Sequence, residues 1–177
     1  TQDRLNEKWD TFSKSSYDTK DYHAEADTDF ILPNNHIWAR NIINKWKFSS
    51  NTKHSITPVV IGGVDLIENR NIVDAIDKSQ LEKEVLAGRF ANATAEDLKR
   101  AVTVAREDTD GWRDMTHSDR HALLKQAAIK VRERRDDLIG IAAAEVGKVF
   151  TETDIEVSES VDFLEFYPYS AQYFDKY

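Results

Sequence analysis

The stretch at residues 145–173, EVGKVFTETDIEVSESVDFLEFYPYSAQY, constrains the fold more than any other part of the chain. It reads as the end of one helix, a Gly147-Lys148 break, and one long final helix over about residues 152–175. On a 3.6-residue wheel that helix is apolar on two sides. Val157, Val161 and Leu164 fall on one side; Ile155, Phe163 and Phe166 fall on the nearly opposite one, with Glu159 and Asp162 inside the second stripe. Pro168 removes one backbone donor and is expected to kink the helix near its preceding turn. A helix apolar on two sides needs partners on both, and the chain ends soon afterwards at Tyr177. The expectation is a piece of something larger.

Composition narrows the class. At 177 residues, 40% hydrophobic and 32% charged, the chain is long enough for one ordinary domain or a small domain with an arm. No apolar run approaches the ~20 residues that span a bilayer. The start, TQDRLNEKW, is polar, shows no secretory signal and lacks an initiator Met, which suggests a boundary or a cleavage product. A cytoplasmic location is the expectation. Without Cys there are no disulfides, thiolate ligands or Cys nucleophile in this chain. Residues 1–55 hold eight acids and eight bases, whereas residues 145–177 hold eight acids and two bases. An acidic chain with no basic stripe is a poor nucleic-acid binder. The plain reading of the acidic end is a solvated helix rim.

Two regions follow along the chain. Residues 1–57 read as an arm: a short helix with Leu5, Trp9 and Phe12, a linker over 13–26, an extended DTDFILP, then a helix capped by Asn34 or Asn35 and running to about Lys47. The Ile37, Trp38, Ile42 and Trp46 stripe of that helix has to dock somewhere. Residues 58–177 read as a hairpin followed by four helices. PVVIGGVDLI is a β-branched run broken at Gly62-Gly63, residues 68–71 form a turn, Ile72, Val73 and Ile76 mark a returning strand, and a third short strand covers about 84–90. Thr94 with Asp97 is a capping box, followed by Leu98, Ala101, Val102 and Ala105 at helical spacing. Thr116 with Asp119 repeats the start signal. The next helix buries Leu124, Ala127, Ala128 and Val131 and shows a basic rim of Arg132, Arg134 and Arg135. A further helix carries Leu138, Ile139, Ala142 and Val146 on one side and stops at Gly147 in the left-handed C′ position. The fold class is mainly α with a small β-hairpin or short antiparallel sheet.

The chemistry is sparse. His117 and His121 stand at i, i+4, but a zinc site needs further ligands, so no metal site is expected. Asp154, Glu156, Glu159 and Asp162 are spaced for a metal or acid–base site in principle, yet there is no Glu-x-x-His partner. Gly62-Gly63 lacks the rest of a phosphate loop, and a hairpin turn or bulge is the better reading. No Gly-x-Ser-x-Gly elbow occurs. Catalytic residues, cofactor-binding residues and metal ligands are therefore expected to be absent from this chain.

An ordered string of features resembles the N-terminal part of an aldehyde dehydrogenase: VVIGG, AEDLKRAVTVAREDTDGW, SDRHALLKQAAIKVRERRDDL, Glu145-Val146-Gly147-Lys148 and EVSESVDFLEFY. The last two pieces are most similar to 1-pyrroline-5-carboxylate (glutamate semialdehyde) dehydrogenases. TQDR and EADTDFILPNNHIWARNII resemble the linker of bifunctional proline utilization A enzymes. Pro168 stands where the family commonly has Ala, and Ala26 where Pro is usual. The fold implied is a fragment of the α/β aldehyde dehydrogenase architecture.

The resemblance implies that the intact protein oxidises glutamate semialdehyde to glutamate with NAD, fused to an FAD-dependent proline dehydrogenase. It places the catalytic Cys, the general-base Glu and the Gly-rich NAD loop further along an intact chain. The partner implied is the remainder of the aldehyde dehydrogenase domain, and a homo-oligomer is expected. Glu159 falls at a position similar to a Glu that helps order the aldehyde end of the substrate site. Flanked by Ile155 and Phe163, it is expected to be partly buried and to need a partner. The chain alone is expected to be an inactive scaffold and oligomerisation segment. The alternative is a stand-alone helical protein-interaction module.

Overall fold

The computed structural model describes residues 3–8 and 22–174. These divide into two compact units. The first draws on segments within 1–46, 115–142 and 148–177, the second on 47–114 and 143–147.

The first unit is helical. Residues 3–6 make a turn closed by the Asn6 N–H on the Asp3 carbonyl, not the expected helix; Trp9 and Phe12 lie outside the described residues. An extended segment over 22–28 leads to α1 (Pro33–Trp46). Pro33 is its first residue, a position where the missing N–H costs nothing. Asn35 is therefore inside the helix and not its cap: buried, it accepts from the Arg4 backbone N–H at 3.1 Å and donates to the Asp29 carbonyl at 2.9 Å. Helix α3 (His117–Glu133) opens on Thr116, whose hydroxyl accepts the Asp119 N–H. Helices α4 (Arg135–Val146) and α5 (Phe150–Phe174) follow. Trp38 and Ile42 of α1 close on Ile139 of α4 and Val157 of α5 as the core, with Phe30, Trp46, Val131 and Phe150 packed around them. Ile37 stays outside. Gly140 of α4 lets the Trp46 ring lie directly on the helix backbone. Over residues 135–142 helix α4 buries Ile139 and Gly140, while Leu138 remains exposed.

The second unit is built on strands. Strand β2 (Val59–Ile61) and β3 (Val64–Leu66) form a hairpin whose two-residue turn is Gly62-Gly63, both at positive φ. The expected return of residues 72–76 onto this run does not occur; β2 and β3 pair only with each other. Instead β4 (Ile72–Ile76) pairs antiparallel with β5 (Leu86–Ala91), and β1 (Ile56–Thr57) pairs parallel with β5 on its other side. Buried Asp77 turns the chain between β4 and β5 by accepting from the Ser79 backbone, the Ser79 hydroxyl and the Gln80 amide. Helix α2 (Ala95–Glu107) carries the complete capping box of Thr94 and Asp97, and the Arg70 guanidinium grips the same Asp97 at 2.6 and 3.0 Å. That grip, with the Thr94 bonds, holds the Asp97 carboxyl well below the usual carboxylate range. Leu98 and Val102 are left exposed; Val104 meets the hairpin at Gly62.

Candidate functional site

Helix α5 does not have two covered faces. Val157 and Val161 are buried, as are Pro168 and Tyr169, whereas Ile155, Phe163 and Phe166 remain 55%, 46% and 42% exposed. Glu159 lies on that open stripe and is itself exposed, which corrects the expectation of partial burial: its neighbours in the stripe are uncovered, so among the described residues nothing takes the carboxylate out of water. The stripe is acidic in its first half, with Glu152, Glu156 and Glu159, and aromatic in its second, where Phe163 stacks on Tyr167 at 5.2 Å.

Behind the open stripe sits a buried charge network that sequence reading missed. Arg132 and Arg135 do not form a basic rim; only Arg134 does. Arg135 is 3% exposed and reaches four acceptor atoms: Asp154 Oδ1 at 2.7 Å, Ser158 Oγ at 3.0 Å, Glu25 Oε1 at 3.2 Å and the Asp154 carbonyl at 3.3 Å. Arg132 donates to Glu25 Oε2 at 2.9 Å and Glu165 Oε1 at 2.5 Å. Burial works against its charge, but the bonds to Glu165 and Glu25 more than offset this and hold its pKa raised. Arg4 donates to the Thr28 hydroxyl at 3.1 Å, the Ala26 carbonyl at 2.5 Å and the Glu7 carboxylate.

The extended segment is fastened to α5 by its backbone as well. Thr28 N–H and Oγ1–H both donate to Asp154 at 2.6 Å, and the Glu25 N–H donates to Asp162 at 2.7 Å. Tyr22 adds a ring contact with Phe166 at 5.3 Å. Burial, the hydrogen bond to Asp162 and the surrounding carboxylates push the Tyr22 hydroxyl up to about 12. Within this network Arg4, Arg132, Arg135, Glu25 and Asp154 each meet an opposite charge. The available signal was the coincidence of acids and Ser at i, i+4, i+8 on α5 with Arg at i, i+3 across α3 and α4. It looked like two solvated rims.

The remaining candidates separate. Of the four acids considered together, Asp154 and Asp162 face inward, while Glu156 pairs with Lys148 at the surface and Glu159 is on the open stripe. His121 is buried edge-on to Tyr169 at 4.8 Å. Burial, with the nearby Lys125 charge, lowers its pKa, while Glu165 acts in the opposite sense. Among the described residues no cluster of three or more His, Asp or Glu is arranged for a metal ion. An open cleft beside the network is lined by Leu5, Lys8, Trp38, Arg132, Glu133 and Asp136. Its mixed charges favour no one ligand class.

Nor do the glycines build a dinucleotide cradle. Gly62 and Gly63 join two strands of a hairpin, with no helix N-terminus after them to meet a pyrophosphate.

A long helix packed against other helices in one unit, and short strands with a helix in the other, make a mainly α fold with small sheets. Residues 68–176 match the aldehyde dehydrogenase family, and the chain belongs to it. Over 110 residues it is 32% identical to 1-pyrroline-5-carboxylate dehydrogenase 2 of Bacillus subtilis, a match covering 62% of this chain and 21% of that protein. The chain thus spans about a fifth of the length of the curated relatives it matches. A single-residue variant of Thermus thermophilus 1-pyrroline-5-carboxylate dehydrogenase superposes with a TM-score of 0.75 at 25% identity, over 85% of this chain and 28% of that one. Proline utilization A from Bdellovibrio bacteriovorus superposes with a TM-score of 0.75 at 23% identity, over 86% of this chain and 15% of that one, a likeness of fold alone. No described helix is long and apolar enough to cross a membrane.

Proposed function

We propose that these 177 residues are the N-terminal part of a cytoplasmic 1-pyrroline-5-carboxylate dehydrogenase, which oxidises glutamate semialdehyde to glutamate with NAD. The observation that carries this reading is the 32% identity over 110 residues to an enzyme of that name. The likeness of the arm to a proline utilization A linker extends the proposal to fusion with an FAD-dependent proline dehydrogenase. Within that protein the present chain serves as scaffold and contact surface, without catalytic residues of its own. Its exposed α5 stripe is the face for the remainder of the dehydrogenase domain or for a second subunit. Glu159, central on that stripe, supports the aldehyde end of the substrate.

The test compares two proteins. The parent protein is expected to form NADH from 1-pyrroline-5-carboxylate, and the 177-residue chain to form none. A parent that oxidises other aldehydes but leaves this substrate untouched would overturn the substrate assignment. Turnover by the short chain that survives repurification would overturn the scaffold role. Glu159→Ala in the parent is expected to raise the KM for the semialdehyde; unchanged kinetics would remove Glu159 from the site.

A further inference from the structure

The inner polar residues of α5 recur every four positions, at Asp154, Ser158 and Asp162, and each is held from outside the helix. Asp154 accepts from Thr28 and Arg135, Ser158 from Arg135, and Asp162 from the Glu25 backbone. Glu25 then returns its carboxylate to Arg135 and Arg132. Arg135 thus joins two points on α5 to the extended 22–28 segment.

The apolar contacts of Val157 and Val161 hold α5 in place but not at one angle, because burial is non-directional. Hydrogen bonds weaken steeply away from their preferred geometry. At 3.6 residues per turn, a small roll of the helix swings every outward side chain together. Glu159 immediately follows Ser158 and precedes Asp162 by one turn. Its direction is therefore set by the bonds on the adjoining side of the helix, where Ser158 and Asp162 lie about 100° and 60° around from it.

We propose that residues 22–28 form a charge-fastened latch fixing the rotation of α5, and that Arg135 is a positioning residue for Glu159. The latch itself rests only on this network. The positioning role rests on the reading that Glu159 supports substrate.

The experiment uses the full-length dehydrogenase with Arg135→Met, Arg135→Lys and, as control, Arg134→Met. Arg134 is exposed and, among the described residues, pairs locally with Asp137. Hydrogen exchange is read at the Glu25 and Thr28 amides, and KM and kcat are measured for both substrates. Arg135→Met should speed exchange at both amides about tenfold or more, a local opening that leaves other helices protected. It should raise the KM for the semialdehyde while leaving that for NAD and the kcat nearly unchanged. Lys at 135 should rescue neither readout, since a point-like ammonium does not reproduce the guanidinium fork. Arg134→Met should match the parent.

Unchanged exchange at both amides in Arg135→Met would overturn the latch. Faster exchange with an unchanged semialdehyde KM, while Glu159→Ala raises it, would overturn the positioning role and leave the substrate reading intact. If Glu159→Ala has no effect, the substrate reading and the positioning role fail together, and exchange alone decides the latch. Should Arg135→Met not fold, Glu25→Gln removes the hub charge at constant size and is read in the same way.

Discussion

Replacing Asp154 with Ala removes a carboxylate that is 1% exposed and accepts three bonds: from the Thr28 N–H and hydroxyl at 2.6 Å each and from Arg135 at 2.7 Å. The loss leaves a buried guanidinium short of one counter-charge and a buried amide without its acceptor. Removing one partner of a buried pair costs about 3–5 kcal/mol, chiefly because the remaining charge stays buried. The stranded amide falls within that figure, since the same side chain served both groups. Against a typical total of about 5–15 kcal/mol, such a loss is large. Two residues further on, Glu156 pairs with Lys148 at the surface, with 53% and 34% of the side chains exposed. Glu156→Ala should therefore cost only about 0–1 kcal/mol.

Urea unfolding followed by tryptophan fluorescence reads both variants. Trp38 and Trp46 belong to or touch the core that Val157 shares. Asp154→Ala should lower the midpoint strongly at an unchanged m-value. A loss no greater than that of Glu156→Ala would refute the argument that burial of the network sets its energetic weight. A double variant, Arg135→Met with Asp154→Leu, should recover part of the loss, because it leaves no unpaired charge.

Three further outcomes can be checked on the same instrument. A Cβ at Gly140 would fall inside the Trp46 indole, so Gly140→Ala should cost about 1–3 kcal/mol by overpacking and alter the Trp fluorescence of the native state. The lowered pKa of His121 means that the unfolded chain takes up its proton first as pH falls. Its contribution is therefore complete above about pH 6.5 and declines below it, and the decline should be shallower in His121→Phe. The lowered Asp97 pKa acts further down: its contribution is present above about pH 4 and lost as acid protonates the carboxyl, so Arg70→Met should weaken the acid dependence of stability between pH 4 and pH 2 (approximate limits).

Local geometry was legible in the sequence wherever a few adjacent residues decide it. Thr94 with Asp97 and Thr116 with Asp119 start helices because a short side chain meets a backbone N–H three residues on. Gly147 ends α4, and Gly62-Gly63 turns a hairpin, because both sites require positive φ. The spacing of Trp38 and Ile42 likewise marked the buried side of α1. The family match also comes from sequence order and covers residues 68–176.

Partnership between distant segments was not legible. No local rule says that β4 pairs with β5 and not with the preceding hairpin, since strand edges of similar composition compete and chain geometry selects among them. Arg132, Arg134 and Arg135 have the same kind of side chain at neighbouring positions, yet Arg135 is buried and Arg134 is not. What separates them is the arrival of Glu25, more than a hundred residues earlier in the chain, together with Asp154 and Glu165. The same holds for the final helix. Its periodicity alone determined that it is a helix with two apolar stripes, but which stripe is covered, and which carboxylates are gripped from behind, depended on segments that only the folded chain brings together. Helix propensity is a property of neighbours in sequence; the burial of a charge is a property of neighbours in space.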